Sequence, residues 1–365
     1  MVEQQRLLLS FECIAKSSKR CGLEIQMSWT ILVNFGTVVV YRLESLMKSS
    51  SFVARYLALL SLITSSLLTG CGWTSSQTTG NTAQPISAAP TMTLYTAGDI
   101  AECRLREVSD TMASRTAERI ATELATDSTA RVLTLGDNAY PNGSADDYAK
   151  CYDPTWGRFK ARTLPSPGNH EYHTPSATGY FDYFGALAGP QRRGYYSADI
   201  GAWHVISLNS NLNGAAQQAQ LDWLKSDLAA RPAGCALAFW HHPVFSSGGH
   251  GNNAVMREAW RLLAAAGTDL VLSGHDHDYE RFAPQDIDGN VDPQHGMRQF
   301  VIGSGGAQLT PLLIRRPNSD TADNTSYGIL KLTLNKTGYV WDFLPVANGS
   351  YTDHGTATCH ATSAK

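Results

Sequence analysis

From residue 93 onward, short apolar runs alternate with longer segments in which apolar residues recur every three or four positions. The short runs are typical of buried strands, and the longer segments are typical of amphipathic helices. The predicted strands cover 93–98, 131–136, 203–209, 235–240 and 270–273, and the predicted helices cover 108–124, 215–230 and 254–266. This alternation predicts an α/β domain.

Beyond residue 298 the pattern changes to strands with turns between them, at 299–303, 328–335 and 339–344. Alternating strand–helix units followed by a strand-rich tail predict two sheets packed face to face with helices outside. The expected fold is therefore a four-layer αββα sandwich of two mixed β-sheets flanked by helices. We assign this domain to residues 93–365 and find no second-domain linker after residue 92.

The segment 47–70 is typical of a secretory signal. Lys48 and Arg55 carry positive charge, an apolar run follows at 56–67, and the segment ends in Leu-Thr-Gly before Cys71. This ending resembles a bacterial lipoprotein signal, in which the cysteine is lipidated and becomes the first residue. The alternative, a buried core helix, is less favoured because a polar linker follows the run at once, and the run is too short to span a bilayer.

This interpretation leaves residues 1–46 upstream of the true start at Met47, so we interpret them as a spurious extension. Residues 71–92 are rich in Ser, Thr, Gln and Ala, which is typical of a flexible tether. The sequence thus predicts an exported protein of the bacterial cell envelope, in the periplasm or at the cell surface, held to the membrane by a lipid on Cys71.

Seven cysteines are present, and four of them follow Cys71. These four are Cys103, Cys151, Cys235 and Cys359. An even number in an exported protein predicts two disulfides, and four cysteines allow three pairings. We favour Cys103–Cys151 with Cys235–Cys359, although the sequence alone does not choose among the three.

The composition bounds the class of protein. The chain has 365 residues, of which 43% are hydrophobic and 17% charged, as in an ordinary globular domain with a substantial core. The net charge of −3 gives no basic patch, so we expect no nucleic-acid partner.

Five short segments carry side chains that bind metals, and most of them follow an apolar run. They are Gly98-Asp99, Gly136-Asp-Asn-Ala-Tyr140, Gly168-Asn-His-Glu171, His241-His-Pro243 and Gly274-His-Asp-His277. Carboxylate and phenolate oxygens suit a hard ion, and imidazoles suit a borderline divalent ion. In sheets that alternate with helices, ligands collect at the carboxyl ends of strands, so these donors could meet there. Taken singly, each segment has an ordinary interpretation as a turn, a cap or a buried histidine pair.

Taken together and in this order, the motifs resemble the calcineurin-like metallophosphoesterase superfamily. Within it, the tyrosine of Gly136-Asp-Asn-Ala-Tyr140 points to the catalytic domain of purple acid phosphatases. Plant members carry a β-sandwich domain before the catalytic one, and the space between Cys71 and residue 93 is too short for it. We therefore expect the catalytic domain alone on a lipid tether.

The resemblance implies a binuclear site made of an Fe(III) ion and a divalent ion such as Fe, Zn or Mn. The first ion would be held by Asp99, Asp137, Tyr140 and His277, and the second by Asp137, Asn169, His241 and His275. We choose His241 over His242 because the motif places its ligand two positions before the proline. His242 and Glu171 are expected to orient the metal ligands without binding the metals themselves.

The implied reaction is hydrolysis of a small phosphomonoester by hydroxide formed from a water whose pKa two cations lower. Asn169 and His170 would contact the phosphate, with His170 as electrostatic stabiliser or proton donor. His250 is a second candidate for the leaving-group acid, although a solvated loop histidine is an equal alternative there. Tyr279 either lines the pocket or packs in the core.

Two other functions stay open. A phosphodiesterase or nucleotidase would use the same metal core, and the aromatic residues of 172–193 could then stack a base, with core packing as the alternative role. A non-catalytic phosphate-binding lipoprotein would be missing a ligand, and none is missing. Metal identity, natural substrate and oligomeric state are not determined by the sequence.

Overall fold

The computed structural model describes residues 7–14, 26–34, 37–41, 91–230, 234–312 and 314–360. The chain divides into two units, and residues 1–84 form the first. There the structure describes three antiparallel strands in the order β1-β2-β3, namely β1 (Leu7–Ile14), β2 (Gln26–Asn34) and β3 (Thr37–Tyr41). The predicted signal at 47–70, the lipidation site Cys71 and the tether up to residue 90 lie outside the described residues.

The second unit contains two mixed sheets, which confirms the predicted architecture. Its strands in chain order are β4 (Met92–Ala97), β5 (Arg131–Leu135), β6 (Thr163–Ser166), β7 (Tyr196–Ile200), β8 (Trp203–Ser207), β9 (Cys235–Phe239), β10 (Leu270–Ser273), β11 (Tyr279–Phe282), β12 (Arg298–Ile302), β13 (Ser319–Asp323), β14 (Gly328–Asn335), β15 (Gly338–Pro345) and β16 (His354–Thr358). One sheet has the order β13-β11-β12-β10-β9-β8-β7, and the other has the order β16-β15-β14-β4-β5-β6.

The α-helices of this unit are α1 (Met112–Leu124), α2 (Ala145–Asp147), α3 (Thr178–Phe184), α4 (Gly214–Ala230) and α5 (Arg257–Ala265). Short 3-10 turns lie at Val108–Asp110, Trp156–Arg162, Glu171–His173, Pro175–Ala177, Gly185–Ala188, Pro190–Arg192 and Ala254–Met256, with a π-turn at Tyr148–Tyr152. Within the described ranges, no helix is both long and apolar enough to cross a membrane.

The central strands are buried on both faces, which explains their continuous apolar sequence. In β10, Leu270 and Leu272 join a core cluster that also contains residues of the six-stranded sheet. Val271 between them points the other way and joins a second cluster with Trp260 and Leu263 of α5. Since successive side chains of a strand face opposite sides, one face of β10 contributes to the core between the sheets and the other packs on helices.

Two disulfides fasten the domain, and they are the pairing favoured from the sequence. Cys103–Cys151 joins the loop after β4 to the π-turn, with a Cα–Cα distance of 5.9 Å. Cys235–Cys359 joins β9 of the seven-stranded sheet to the residue that follows β16 of the six-stranded sheet. The second bridge therefore links the two sheets directly.

The predicted strands lie close to their expected places, but several helix boundaries differ. The helix expected over 108–124 begins only at Met112, because Thr111 is extended and its side chain accepts a hydrogen bond from the Ser114 amide as an N-cap. Residues 254–256 form a 3-10 turn before α5. The strands β6, β7, β11, β13 and β16 were not predicted, since they are only four or five residues long and mostly polar or interrupted.

Candidate metal centre

Donor side chains from both sheets meet where parallel strands end. Asp99 and Asp137 follow β4 and β5 of the six-stranded sheet, and Asn169 follows β6, the neighbouring parallel strand. His241 and His275 follow β9 and β10, which are parallel neighbours in the seven-stranded sheet. The carboxyl edges of two sheets thus supply a single cluster of donors.

The first group of donors surrounds the Tyr140 hydroxyl. This oxygen lies 3.1 Å from Asp99 Oδ1, 3.2 Å from Asp137 Oδ2 and 3.2 Å from His277 Nε2. His277 Nε2 is also 3.3 Å from Asp99 Oδ1. Four potential ligand atoms therefore face one point.

The second group surrounds Nε2 of His241. This nitrogen lies 3.0 Å from Asn169 Oδ1, 3.3 Å from Asp137 Oδ2 and 3.2 Å from His275 Nδ1. Asp137 Oδ2 thus belongs to both groups, as the atom that bridges two ions would. Its other oxygen, Oδ1, accepts a hydrogen bond from the His170 amide at 2.8 Å.

Backbone carbonyls orient two of the imidazoles. His241 Nδ1 lies 2.8 Å from the Leu135 carbonyl, and His277 Nδ1 lies 2.7 Å from the Gln308 carbonyl. A carbonyl only accepts, so each Nδ1 carries the hydrogen and each Nε2 faces the donor cluster with its lone pair or a second proton. This is the tautomer that metal ligation through Nε2 requires.

The donor set fits cations, and no Lys or Arg of the described residues supplies positive charge there. Asp99 and Asp137 are 0% and 2% exposed, and no Lys or Arg in the described ranges forms an ion pair with either. Two buried carboxylates without a balancing charge are costly. The Tyr140 hydroxyl has a single hydrogen and lies within 3.2 Å of two carboxylate oxygens, so it cannot satisfy both of them.

The pKa values of the tyrosine and histidines in the cluster also indicate that the site requires positive charge. Burial, reinforced by the negative charges of Asp99 and Asp137, raises the pKa of the Tyr140 phenol well above its ordinary value. Burial lowers the pKa of His241 and His277, but the adjacent Asp137 and Asp99 carboxylates outweigh it and raise both to about 9. Without metals, protons on these imidazoles supply the missing charge, and metal ions would take their place.

Glycines make room for the ligands. A Cβ on Gly136 would lie 2.6 Å from His241 Nδ1, and a Cβ on Gly168 would overlap Asp137 Oδ1. At Gly168, glycine is therefore needed because there is no room for a side chain. A left-handed backbone conformation occurs at three of the proposed ligands. Asp99, Asp137 and His275 have φ values of 58°, 49° and 74°, a conformation uncommon outside glycine that is kept at functional sites.

His170 borders the donor cluster with a partly exposed ring. Its Nδ1 lies 2.6 Å from the Pro141 carbonyl, its ring packs 4.3 Å from that of Tyr140, and its Nε2 is 3.8 Å from Asp137 Oδ2. His173, which sequence reasoning missed, lies beside it at a ring distance of 4.6 Å and also contacts the Pro141 carbonyl. The spacing His-Glu-Tyr-His within the motif was the available signal, because residues three apart lie on the same side of a 3-10 turn, and here His170 caps the turn and His173 ends it.

His242 and His250 flank His275 on the other side. Their rings lie 4.4 Å and 4.3 Å from the His275 ring. Nδ1 of His242 is bonded to Ser210 Oγ at 2.8 Å, and burial together with the His241 charge lowers the pKa of His242 to about 3. His250 is exposed, and its amide is held by buried Asp276 at 2.7 Å. Both histidines therefore lie at the site.

Glu171 connects the two ligand loops. Its Oε1 accepts hydrogen bonds from the amides of Asn138 and Ala139 at 2.9 and 3.2 Å, and its Oε2 accepts one from the Gly168 amide at 2.6 Å. The carboxylate is fully buried. It thus holds the loop of Asp137 and Tyr140 against the loop of Asn169 and His170.

Two groups of aromatic residues prove to be core rather than pocket. Tyr279 is fully buried, donates to Asp353 Oδ2 at 2.7 Å and packs 4.5 Å from the Phe343 ring. In the 172–193 segment, Tyr180, Phe181 and Phe184 are buried in a mutual aromatic cluster. Their role is packing, so they offer no surface on which a base could stack.

Comparison with known proteins agrees with this geometry. The family model for calcineurin-like phosphoesterases matches residues 107–279. The chain is 31% identical over 212 residues to purple acid phosphatase 15 of Arabidopsis thaliana, covering 48% of this chain and 40% of that protein. It is 27% identical over 226 residues to human acid phosphatase type 7, covering 50% of each. The chain thus spans about half the length, or less, of these curated relatives.

Solved structures support the fold. A purple acid phosphatase from yellow lupin, PPD1, superposes with a TM-score of 0.63 at 18% identity, covering 74% of this chain and 54% of that one. GAP50 of Plasmodium, described as the anchor in the inner membrane complex, superposes with a TM-score of 0.57 at 14% identity, covering 75% and 90%. At these identities the likeness concerns the fold alone.

The Glu171 network predicts a large loss of stability in Glu171→Gln. The glutamine NH₂ would face a backbone N–H in place of an acceptor, so we expect about 2–4 kcal/mol of destabilisation. Urea unfolding of the metal-free proteins measures this difference in the free energy of unfolding. Glu118→Gln is the control, because that side chain is 70% exposed and its surface pair with Arg158 is worth less than about 1 kcal/mol. Equal stability of the two variants would contradict the positioning role.

Proposed function

The chain belongs to the calcineurin-like phosphoesterase family, and we propose that it hydrolyses small phosphomonoesters at a binuclear metal centre, releasing inorganic phosphate. The observation that carries the proposal is Asp137 Oδ2, which faces the Tyr140 hydroxyl at 3.2 Å and His241 Nε2 at 3.3 Å and so is shared by two donor groups. A non-catalytic phosphate-binding role is disfavoured because neither group lacks a donor.

The residues divide into two sets of four. Asp99, Asp137, Tyr140 and His277 would hold the first ion, and Asp137, Asn169, His241 and His275 would hold the second. When bound, the two ions supply positive charge that lowers the pKa of a coordinated water and neutralises the phosphate. The phenol of Tyr140 supports Fe(III) at the first position, since a hard ion favours anionic oxygen ligands, and the imidazoles and amide of the second support a divalent ion.

The chain's own contribution to chemistry is orientation and proton transfer. The bond from His170 Nδ1 to the Pro141 carbonyl fixes the ring, so that Nε2 is the atom available to the substrate. With both ring nitrogens protonated, Nε2 donates to a phosphate oxygen or gives its proton to the departing alkoxide, which leaves as the alcohol. With its Oδ1 turned to His241, Asn169 keeps its Nδ2 amide as a donor to phosphate. His250, exposed beside His275, is the second candidate proton donor.

Hydrolysis of p-nitrophenyl phosphate and bis-p-nitrophenyl phosphate by the purified protein tests the proposal. We expect the monoester to be preferred, chelation to abolish turnover and added metal to restore it. Asp137→Asn should lower kcat/KM by more than about a hundredfold, because losing even an outer partner of a metal ligand costs about 10- to 100-fold. Preference for the diester would favour the phosphodiesterase alternative, and no turnover with any metal would eliminate both enzymatic functions.

The ferric assignment predicts a visible absorption band from the bond between the Tyr140 phenolate and Fe(III). Tyr140→Phe should abolish this band. Tyr180→Phe is the matched control, because Tyr180 is also fully buried and its hydroxyl has no partner within the described part of the chain. A colourless but fully active zinc or manganese enzyme would contradict the iron assignment and leave the hydrolase function intact.

We further propose that the protein is exported and anchored in the cell envelope through a lipid on Cys71. The signal-like segment at 47–70 supports this, as do the two disulfides of the domain, which persist in oxidising compartments. In a bacterial host expressing the full chain, labelled fatty acid should be incorporated, and Cys71→Ser should remove the label. Cys13→Ser should keep it, since Cys13 precedes the signal. Label retained in Cys71→Ser would exclude this anchor.

A further inference from the structure

A third imidazole lies beside two of those that would hold the second ion. The centroid of the His242 ring is 4.9 Å from that of His241 and 4.4 Å from that of His275. One ring nitrogen of each of these three residues lies within 4.8 Å of the other two. His242 therefore belongs to the donor cluster in space, although the four donors assigned to the second ion do not include it.

Strand pairing brings His242 and a serine to the same place. β8 and β9 are parallel neighbours that end at Ser207 and Phe239, and these two residues are paired across the strands. Ser210 and His242 each follow the end of their strand by three residues, so they leave the sheet together at the edge where the donors collect. The Trp240 indole N–H donates to the His242 carbonyl at 2.8 Å and fixes the backbone there.

Ser210 determines which nitrogen of the His242 ring carries the hydrogen. Its Oγ accepts a hydrogen bond from the His242 amide at 3.1 Å and lies 2.8 Å from Nδ1 of the same residue. Ser210 is 2% exposed, and Nδ1 is the one acceptor that its hydroxyl hydrogen reaches within the described residues. Because a buried hydroxyl that donates nothing is unfavourable, the hydroxyl donates to Nδ1, and the ring hydrogen is on Nε2.

The other ring nitrogen of His242, Nε2, is a donor without an acceptor. It has no hydrogen-bond partner within the described part of the chain, and it is not sealed in the core. A nitrogen that carries hydrogen has no lone pair for a metal ion, so His242 offers an N–H donor rather than a further ligand. The partner of Nδ1 makes the difference. At His241 and His277 that partner is a carbonyl, which only accepts and leaves Nε2 for cations, whereas the Ser210 hydroxyl donates.

We propose that His242 binds the substrate, by donating its Nε2–H to a phosphate oxygen on the side of the second ion. The inference rests on the proposed function. A donor held in place by Ser210 and by the strand ends loses little conformational entropy on binding, and hydrogen bonds to a charged phosphate are among the stronger ones. His170 borders the first group of metal donors and His242 borders the second, so the phosphate would receive hydrogen bonds beside both ions.

Calorimetry with inorganic phosphate on the metal-loaded protein tests this contact. In His242→Leu the Kd of phosphate should rise about tenfold or more, as expected when one hydrogen bond to a charged group is lost, while both metal ions stay bound. In Ser210→Ala the ring hydrogen is no longer confined to Nε2, so the Kd should rise about threefold or more. His242→Gln keeps an N–H donor and should recover part of the affinity that His242→Leu loses.

Ser207→Ala is the matched control, because it removes another buried serine hydroxyl three residues earlier in the chain. That hydroxyl donates to the Pro165 carbonyl at 3.3 Å, so the Kd of phosphate should stay at the value of the unmodified protein. A Kd in His242→Leu within about twofold of that value would overturn the proposal. Loss of one metal ion from His242→Leu, measured by metal analysis, would also overturn it, since His242 would then be a ligand.

The position of the ring hydrogen is measured on the unmodified chain, so this second test does not depend on the folding of any variant. Nuclear magnetic resonance of the zinc-loaded protein, labelled with nitrogen-15 at histidine, should show the His242 ring with hydrogen on Nε2 and none on Nδ1. Hydrogen on Nδ1 with zinc on Nε2 would contradict the proposal. If phosphomonoesters are not hydrolysed, the proposed function fails, and the Kd of phosphate together with the hydrogen position still decides whether His242 binds phosphate.

Discussion

Two carboxylates and a phenol buried around one point are the constraint on which the rest of this structure depends. The Tyr140 hydroxyl lies 3.1 Å from Asp99 Oδ1 and 3.2 Å from Asp137 Oδ2, and all three residues have almost no solvent exposure. Such an arrangement is unfavourable unless positive charge occupies the space between the oxygens. The backbone maintains it by adopting the uncommon left-handed conformation at both aspartates. Glycines occupy positions such as 136 and 168, where a Cβ would collide with a ligand.

The ligands of the site are held in place by hydrogen bonds to groups that do not contact the reacting atoms. Carbonyls of Leu135 and Gln308 turn two imidazoles so that Nε2 faces the centre, and the buried Glu171 ties the two ligand loops together through backbone amides. Leu135 ends β5 and Glu171 begins a 3-10 turn, whereas Gln308 lies in the segment between β12 and β13. The positions of the donor atoms are therefore set mainly by the sheets, to whose strand ends the ligand loops are attached.

The donor atoms and the packing aromatic rings belong to different parts of the chain. The donors lie where the strands of the two sheets end, and the disulfide Cys103–Cys151 fastens the loop after β4 to the Tyr148–Tyr152 turn. Tyr180, Phe181 and Phe184 serve the core, because their buried rings pack on one another.

The sequence by itself determined the order of strands and helices, the double-sheet architecture and the residues that could supply donors. These follow from local periodicity and from motifs whose residue types are restricted by chemistry. Only the tertiary structure decided which atoms face each other, that Tyr279, Tyr180, Phe181 and Phe184 are core, and that His173 lies beside His170. The short strands β6 and β11 also escaped prediction, since pairing partners far away in sequence stabilise them. Proximity between distant segments arises from packing and strand pairing, which no local pattern of side chains encodes.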